Sequence, residues 1–198
     1  VVTEAKIHSK EESRLKLGLS KKHIIMFFGL VRSYKGLDVL IKANKHLKSK
    51  MSDYQIVICG ESYGNDDYYL DLIKDNCDNM EIKWINKFIP SDEVGTYFSA
   101  SDVVVLPYKN ASQSGIIPLA YSYQRPVIAS NIKGIREMVI DGKTGILFEK
   151  NDSKLLSQKI EQFFHHKIDY KSNIYDFRAK FSWDGFVDEI ESLYRCLK

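Results

Sequence analysis

Between residues 103 and 130 the chain reads VVVLPYKNASQSGIIPLAYSYQRPVIAS. Val103, Val104, Val105 and Leu106 form an unbroken β-branched and aliphatic run ended by Pro107, and Pro126-Val127-Ile128-Ala129-Ser130 begins a second. Runs apolar at every position suit strands covered on both faces, as parallel strands are; a sheet with one wet face asks for alternation instead. Between the two runs, residues 110–115 are small or amide-bearing and read as a loop, whereas residues 116–123 are apolar enough for a helix.

The rest of the chain repeats this unit. Residues 24–28, 55–59, 81–85 and 145–148 read as further strands. Residues 36–48 are a helix, since Leu37, Leu40, Ile41 and Leu47 share one helical face. Residues 69–76 form the next. Ser91 opens another, with Asp92 and Glu93 favoured by the dipole and Val94, Tyr97 and Phe98 facing inward. Residues 135–140 read as a short helix and Asp141-Gly142 as a turn. Leu156, Ile160, Phe163 and Phe164 mark an amphipathic helix, and Phe186, Ile190, Leu193, Tyr194 and Leu197 mark a closing one over 184–197. The polar residues 1–22 read as a lead-in or linker with a short helix at 11–17, which leaves 23–198 as one domain. Alternating strands and helices predict an α/β fold, a doubly wound, mostly parallel, Rossmann-like sheet.

Such sheets bind ligands beyond the carboxyl ends of their strands. After the first strand comes Gly29-Leu30-Val31-Arg32-Ser33-Tyr34-Lys35-Gly36, two cations bracketed by glycines. Arginine forks onto phosphate oxygens and lysine adds a compact charge, each charge-assisted bond contributing about 1.5–3 kcal/mol. The plainer reading makes Arg32 and Lys35 solvated surface charges. Pro118 cannot sit in a helix interior, so its helix starts near Ser114-Gly115, with Ser114 as the cap. A terminus there turns free N–H groups toward the strand ends, and Gly115 lets an anion approach. The stretch is either a phosphate cradle or an ordinary strand-to-helix loop. Gly60-Glu61 follows the second strand and Asn86-Lys87-Phe88-Ile89 the third. Backbone there can read a base edge with Phe88 or Ile89 on the ring, or the two plug the core. After the strand at Val127 come Gly134 and Glu137; Glu137, read as lying in a first helical turn, either accepts from sugar hydroxyls or serves the dipole.

Other chemistries find no support. A net charge of +3 is too slight to argue for nucleic acid. No GxGxxG or Gly-Lys-Ser/Thr loop follows a strand. Cys59, Cys77 and Cys196 are odd in number and form no CxxC pair, so metal or redox use is not expected and a reducing compartment is. His165 and His166 point about 100° apart on a helix and do not chelate together. Asp66-Asp67 reads as a solvated turn. The apolar run 24–31 is too short for a bilayer, no signal peptide opens the sequence, and the start at Val1 fits a processed terminus or a cut through a longer polypeptide.

In their order, these segments resemble the C-terminal, nucleotide-sugar-binding half of GT-B glycosyltransferases, specifically the retaining group called family 4. The pieces that carry the resemblance are Phe28-Gly29 with Arg32 and Lys35-Gly36, Val57-Ile58-Cys59-Gly60, and residues 97–102 leading into 103–107. Ser114-Gly115 with its helix, 126–130, Gly134 with Glu137, 141–145 and Phe181-Ser182-Trp183 complete the series. The resemblance implies that Arg32 and Lys35 hold the donor diphosphate and stabilise it as it departs. It implies that Ser114 and Gly115 bind it through the helix terminus, that Lys87 to Ile89 flank the base, and that Gly29, Gly60 and Gly134 belong to the same site. It implies no cofactor and no metal, the nucleoside-diphosphate sugar being a substrate. The family commonly carries two glutamates eight positions apart; here those positions fall at about Ala111 and Leu119, and no carboxylate lies between Asp102 and Glu137. Ribose and sugar contacts then fall to Ser112, Gln113 or backbone.

The expected partners are a UDP- or GDP-sugar and a missing N-terminal acceptor domain. Nucleic acid is not expected, and membrane contact is expected only of the full-length protein, at the inner face. The expected activity is transfer of a sugar to a polysaccharide, glycolipid or similar acceptor in the cytoplasm, with this half alone binding weakly and transferring little. Two alternatives stand beside it: a nucleotide-sugar epimerase of the same architecture, and a degenerate domain kept for binding or assembly.

Overall fold

The apolar runs form β1 (His23–Phe28), β2 (Tyr54–Cys59), β3 (Ile82–Ile85), β4 (Val103–Leu106), β5 (Val127–Ser130) and β6 (Gly145–Phe148). In the computed structural model, which describes residues 7–64, 66–77, 81–166, 168–179 and 183–196, they pair in parallel in the order β3-β2-β1-β4-β5-β6. The order reverses between β1 and β4, which opens a crevice at their carboxyl ends. Val103, Val104 and Val105 are fully buried and Leu106 nearly so, as an unbroken apolar run in the middle of a two-faced sheet requires.

The connections are α1 (Lys10–Leu17), α2 (Leu37–Leu47), α3 (Asp66–Asn76), α4 (Ser91–Ala100), α5 (Ile116–Ser122), α6 (Lys133–Arg136), α7 (Ser153–His165), α8 (Tyr170–Ala179) and α9 (Trp183–Cys196). α2 packs on α3 and α7, α1 on α4, and α5 on α8. The architecture is the expected one. The short helix expected at 11–17 is present as Lys10–Leu17 and docks on α4. The details differ in three places. α3 starts at Asp66, so Asp66 and Asp67 open a helix instead of forming a solvated turn, where carboxylates suit the dipole. α6 ends at Arg136, so Glu137 is its C-cap and does not lie in a first turn. α8 was not expected, although Tyr170, Ile174 and Phe177 at i, i+4 and i+7 face the core. On α9, Ile190, Leu193 and Tyr194 are exposed. Leu197, the Phe186 side chain and the segment Phe181-Ser182 lie outside the described residues. Among the described residues no helix is long and apolar enough to cross a membrane.

Two ionic groups, Asp102 partly buried and Arg125 buried, tie the layers. Asp102, between α4 and β4, pairs with Lys10 and with Arg14 (2.7 Å) and takes the Ile24 amide (2.6 Å). Arg14 also donates to Ala100 O at 2.9 Å, so α1, the start of β1 and the end of α4 meet at one carboxylate. Arg125, only 7% exposed, donates to Phe98 O (2.8 Å) and Ser99 O (3.2 Å). A buried cation thereby satisfies the last carbonyls of α4 and sits at the negative end of its dipole. Burial lowers its pKa and the Asp102 charge partly offsets this. Arg125→Met leaves Ser99 O without its donor while Phe98 O keeps the Ser101 amide and hydroxyl, and is expected to destabilise the fold by about 1–3 kcal/mol, read as a lower urea midpoint at unchanged slope. A midpoint equal to wild type removes this role.

Candidate functional site

The exits of the first three strands are zipped together. Gly29 donates to Cys59 O (2.8 Å), Gly60 to Ile85 O (3.1 Å) and Val31 to Glu61 O (2.8 Å). Gly60 has φ +146°, and a Cβ on it would stand 2.2 Å from Gly29 O, so the two loops touch backbone to backbone. Val31 and Ser62 form a parallel bridge beyond the strands. Ser62 N donates to Asn86 Oδ1 (3.0 Å), and Asn86 Nδ2 to Asp66 Oδ2 (2.7 Å). The end of β3 is thus tied into the same seam.

Lys35 is the last residue of a 3₁₀ turn, Ser33–Lys35, that follows Arg32. Its side chain folds inward and the residue is 9% exposed. The ammonium lies 3.1 Å from the point a Cβ on Gly29 would occupy, and Cδ1 of Ile116, the first residue of α5, lies 3.5 Å from that same point. The Lys35 ammonium, the end of β1 and the start of α5 therefore meet in one place, at the switch point of the sheet. Among the described residues neither Lys35 nor Arg32 is within ion-pair distance of a carboxylate. Asp38, on the first turn of α2, is held by Lys109 (2.8 Å) and Lys42 (3.7 Å). Burial lowers the Lys35 pKa, and the charge of Arg32 lowers it further. A largely buried lysine whose ammonium opens on the crevice, with no carboxylate beside it, is a place suited to an anion.

Arg32 behaves differently. It is exposed and its guanidinium carbon lies 5.5 Å from the centroid of the Tyr63 ring. It stands at the rim of the crevice, near enough to act electrostatically on Lys35 but stacked on the β2 exit.

The N-cap of α5 is Gly115, with no side-chain cap, and not Ser114 as expected; Ser114, one residue earlier and 6% exposed, accepts the Ile116 amide at 3.2 Å and donates to Tyr108 Oη at 3.4 Å. Tyr108 is buried, its phenol pKa pushed up to about 12 by that burial, so it stays neutral. α5 is seven residues long. Its Ile116 amide is taken by Ser114 and Pro118 has none, so the terminus offers fewer free donors than a phosphate cradle would. The fixed positive charge of the site is therefore chiefly that of Lys35. Gly115 is exposed and faces open space.

The remaining expected residues divide. Gly134 does not face the crevice centre: a Cβ there would lie 1.9 Å from Ser112 O, so its bareness lets the 111–115 loop seat on α6. Gln113 is exposed. Lys87 pairs with Glu93 at 3.6 Å. Ile89 joins the core at 7% exposure while Phe88 stands out at 65%, so one plugs and the other is free to meet a ring. Glu137 is exposed at the end of α6. Tyr63 and Tyr108 are not singled out from the sequence, and Asn86 is named there only for its backbone. Each lies within four residues of a strand's last residue, which is the one signal that marks them.

A family model described as "Glycosyl transferases group 1" matches residues 9–193. D-inositol 3-phosphate glycosyltransferase of Corynebacterium aurimucosum is 27% identical over 193 residues, covering 93% of this chain and 46% of that protein. An uncharacterized glycosyltransferase of Methanocaldococcus jannaschii is 27% identical over 172 residues, covering 85% and 47%. The chain thus spans about half the length of these relatives. In fold it is similar to the C-terminal domain of a group 1 family glycosyl transferase, LpcC, of Francisella tularensis, with a TM-score of 0.81 at 21% identity, covering 91% of this chain and 96% of that one. It is also similar to Anabaena HepE in complex with UDP and glucose, with a TM-score of 0.72 at 20% identity, covering 83% and 44%.

Proposed function

The chain belongs to the group 1 glycosyl transferases, and from that membership we propose that it is the donor-binding half of a GT-B enzyme. The donor is a nucleoside-diphosphate sugar, UDP-linked by analogy with the ligands of HepE. The sugar passes, with retention as in family 4, to a polysaccharide, glycolipid or similar acceptor held by an N-terminal half. One observation carries the reading: the largely buried Lys35 side chain, whose ammonium has no carboxylate beside it, at the junction of the β1 exit and α5.

Charge on the leaving diphosphate grows as the glycosidic bond breaks, and an ammonium held in the crevice stabilises that charge more in the transition state than in the bound donor. Arg32 adds a forked donor from the rim. The reading needs no metal and no cofactor. The cytoplasm is the natural compartment, where such donors are made, with any membrane contact left to the whole protein. The acid-free stretch from Val103 to Arg136 favours a second reading, binding without transfer, over an epimerase, which needs an acid and a base in the crevice.

The test is a thermal shift. At 100 times Kd, UDP or GDP is expected to stabilise the protein by about 2.7 kcal/mol, a rise in Tm of roughly 5–10 °C. If no nucleoside diphosphate moves Tm, the donor reading fails. Transfer by the chain joined to its N-terminal half separates the enzyme from the binding domain.

A further inference from the structure

Arg32 is an exposed arginine on a glycine-flanked loop, a setting that leaves a long side chain free to wander, yet its surroundings are ordered from three sides. The Val31 amide beside it donates to Glu61 O at 2.8 Å, and Val31 and Ser62 form the bridge that extends the β1–β2 pairing into the loops. Asn86 holds the same segment through the Ser62 amide, and is itself held by Asp66. The backbone of 61–63 is therefore registered against Arg32 by groups from β2, β3 and α3. Tyr63, one residue on, lies under the guanidinium at 5.5 Å. Although Tyr63 is 63% exposed, its ring is not free to turn away, because its hydroxyl donates to Glu61 Oε1 at 2.8 Å.

We propose that Tyr63, braced by Glu61, is a positioning residue that presents Arg32 to the diphosphate. This rests on the donor reading above. A guanidinium lying over a ring at cation–π distance leaves its N–H groups open for a forked contact with phosphate oxygens. Stacking also removes part of the rotamer freedom that the side chain would otherwise lose on binding, which raises affinity without a new ligand contact. Tyr63 itself donates to Glu61 and touches no diphosphate in this arrangement. The same ring orders Arg32 at the rim while Lys35 is fixed in the floor, so the two cations, which repel each other, remain on the same side of the sheet without a carboxylate to bridge them.

The experiment is calorimetric titration of the chain with UDP or GDP, whichever raises the Tm of the wild type, for Tyr63→Ala, Tyr63→Phe, Arg32→Ala and the double variant Tyr63→Ala/Arg32→Ala. Tyr63→Ala is expected to weaken binding about two- to fivefold, the size of an exposed cation–π contact. Tyr63→Phe keeps the ring but loses the hydroxyl held by Glu61, and is expected to fall between wild type and Tyr63→Ala. In the Arg32→Ala background, Tyr63→Ala is expected to change nothing, since its effect passes through the arginine. An equal loss from Tyr63→Ala in both backgrounds overturns the proposal, because the ring would then act on the ligand or the fold directly. Full affinity in Tyr63→Ala with a loss in Arg32→Ala overturns it while leaving the donor reading intact. Absence of binding by the wild type defeats both.

Discussion

Lys35→Met is expected to weaken nucleoside-diphosphate binding about 10- to 100-fold while leaving Tm unchanged or raising it. The two effects have one cause. A charge-assisted bond from an ammonium to a phosphate contributes about 1.5–3 kcal/mol, and methionine has nothing to offer in its place. In the unliganded fold the same side chain packs against Gly29 and Ile116 with no acid beside its ammonium, so its partly desolvated charge is a burden that a thioether of similar reach relieves. The pH dependence has a definite sign. The folded pKa of Lys35 lies below its ordinary 10.5, so the folded state holds the proton less tightly than the unfolded state, and this residue's unfavourable contribution is fully present below the folded pKa. It fades as pH rises toward 10.5, so the stability of wild type relative to Lys35→Met should increase across that interval. Affinity for UDP or GDP should fall across it, because the phosphate loses its ammonium. Titration calorimetry from pH 7 to 10 reads the second effect and urea denaturation the first. Unchanged affinity in Lys35→Met would remove the residue from the site.

The sheet was legible because its signals were one-dimensional. Val103 to Leu106 announces a two-faced strand by composition alone, and Pro107 fixes its end. Leu37, Leu40, Ile41 and Leu47 announce α2 by spacing, and all four are fully buried. The positions of Arg32 and Lys35 on one loop were legible too, but not their different fates. One is 9% exposed in the floor and the other lies exposed at the rim, because a 3₁₀ turn of three residues intervenes and rotates them apart. Such a turn leaves no periodicity to read. Glu137 falls elsewhere for a related reason: Ile135 to Ile140 looks like a helical stretch, but the helix starts earlier, at Lys133, with Gly134 seated against Ser112 O, and it ends at Arg136. Tyr63 and Asn86 matter only through partners from other strands, and no local pattern encodes a contact across a seam. Phe88 and Ile89 are adjacent and equally apolar, and only the packing of the β3 exit decides which is buried.

Gly36→Ala is the substitution with the largest expected effect on the fold, about 3–5 kcal/mol, a large part of the 5–15 kcal/mol that holds a domain of this kind together. Two penalties combine. Gly36 has φ +69°, a conformation that strains a side-chain-bearing residue by about 1–2 kcal/mol. Its Cβ would also lie 1.9 Å from Pro107 O, and neither side can move aside. Pro107 closes β4, and the next turn of that loop is fastened to the first by the Lys109 amide donating to Tyr34 O at 2.7 Å. The clash must therefore open the contact between the β1 and β4 exits, the seam on which Lys35 is carried to Ile116, so diphosphate affinity should fall along with the urea midpoint. Gly115→Ala supplies the contrast. Its φ is −67° and nothing lies within 4 Å of the added methyl, so stability should stay within about 0.5 kcal/mol of wild type. A ligand approaching the start of α5 would still meet that methyl, and binding should weaken. If Gly36→Ala keeps its stability, the β1–β4 seam is looser than its contacts require; if Gly115→Ala binds as wild type does, the diphosphate lies on Lys35 and Arg32 alone and the start of α5 plays no part in holding it.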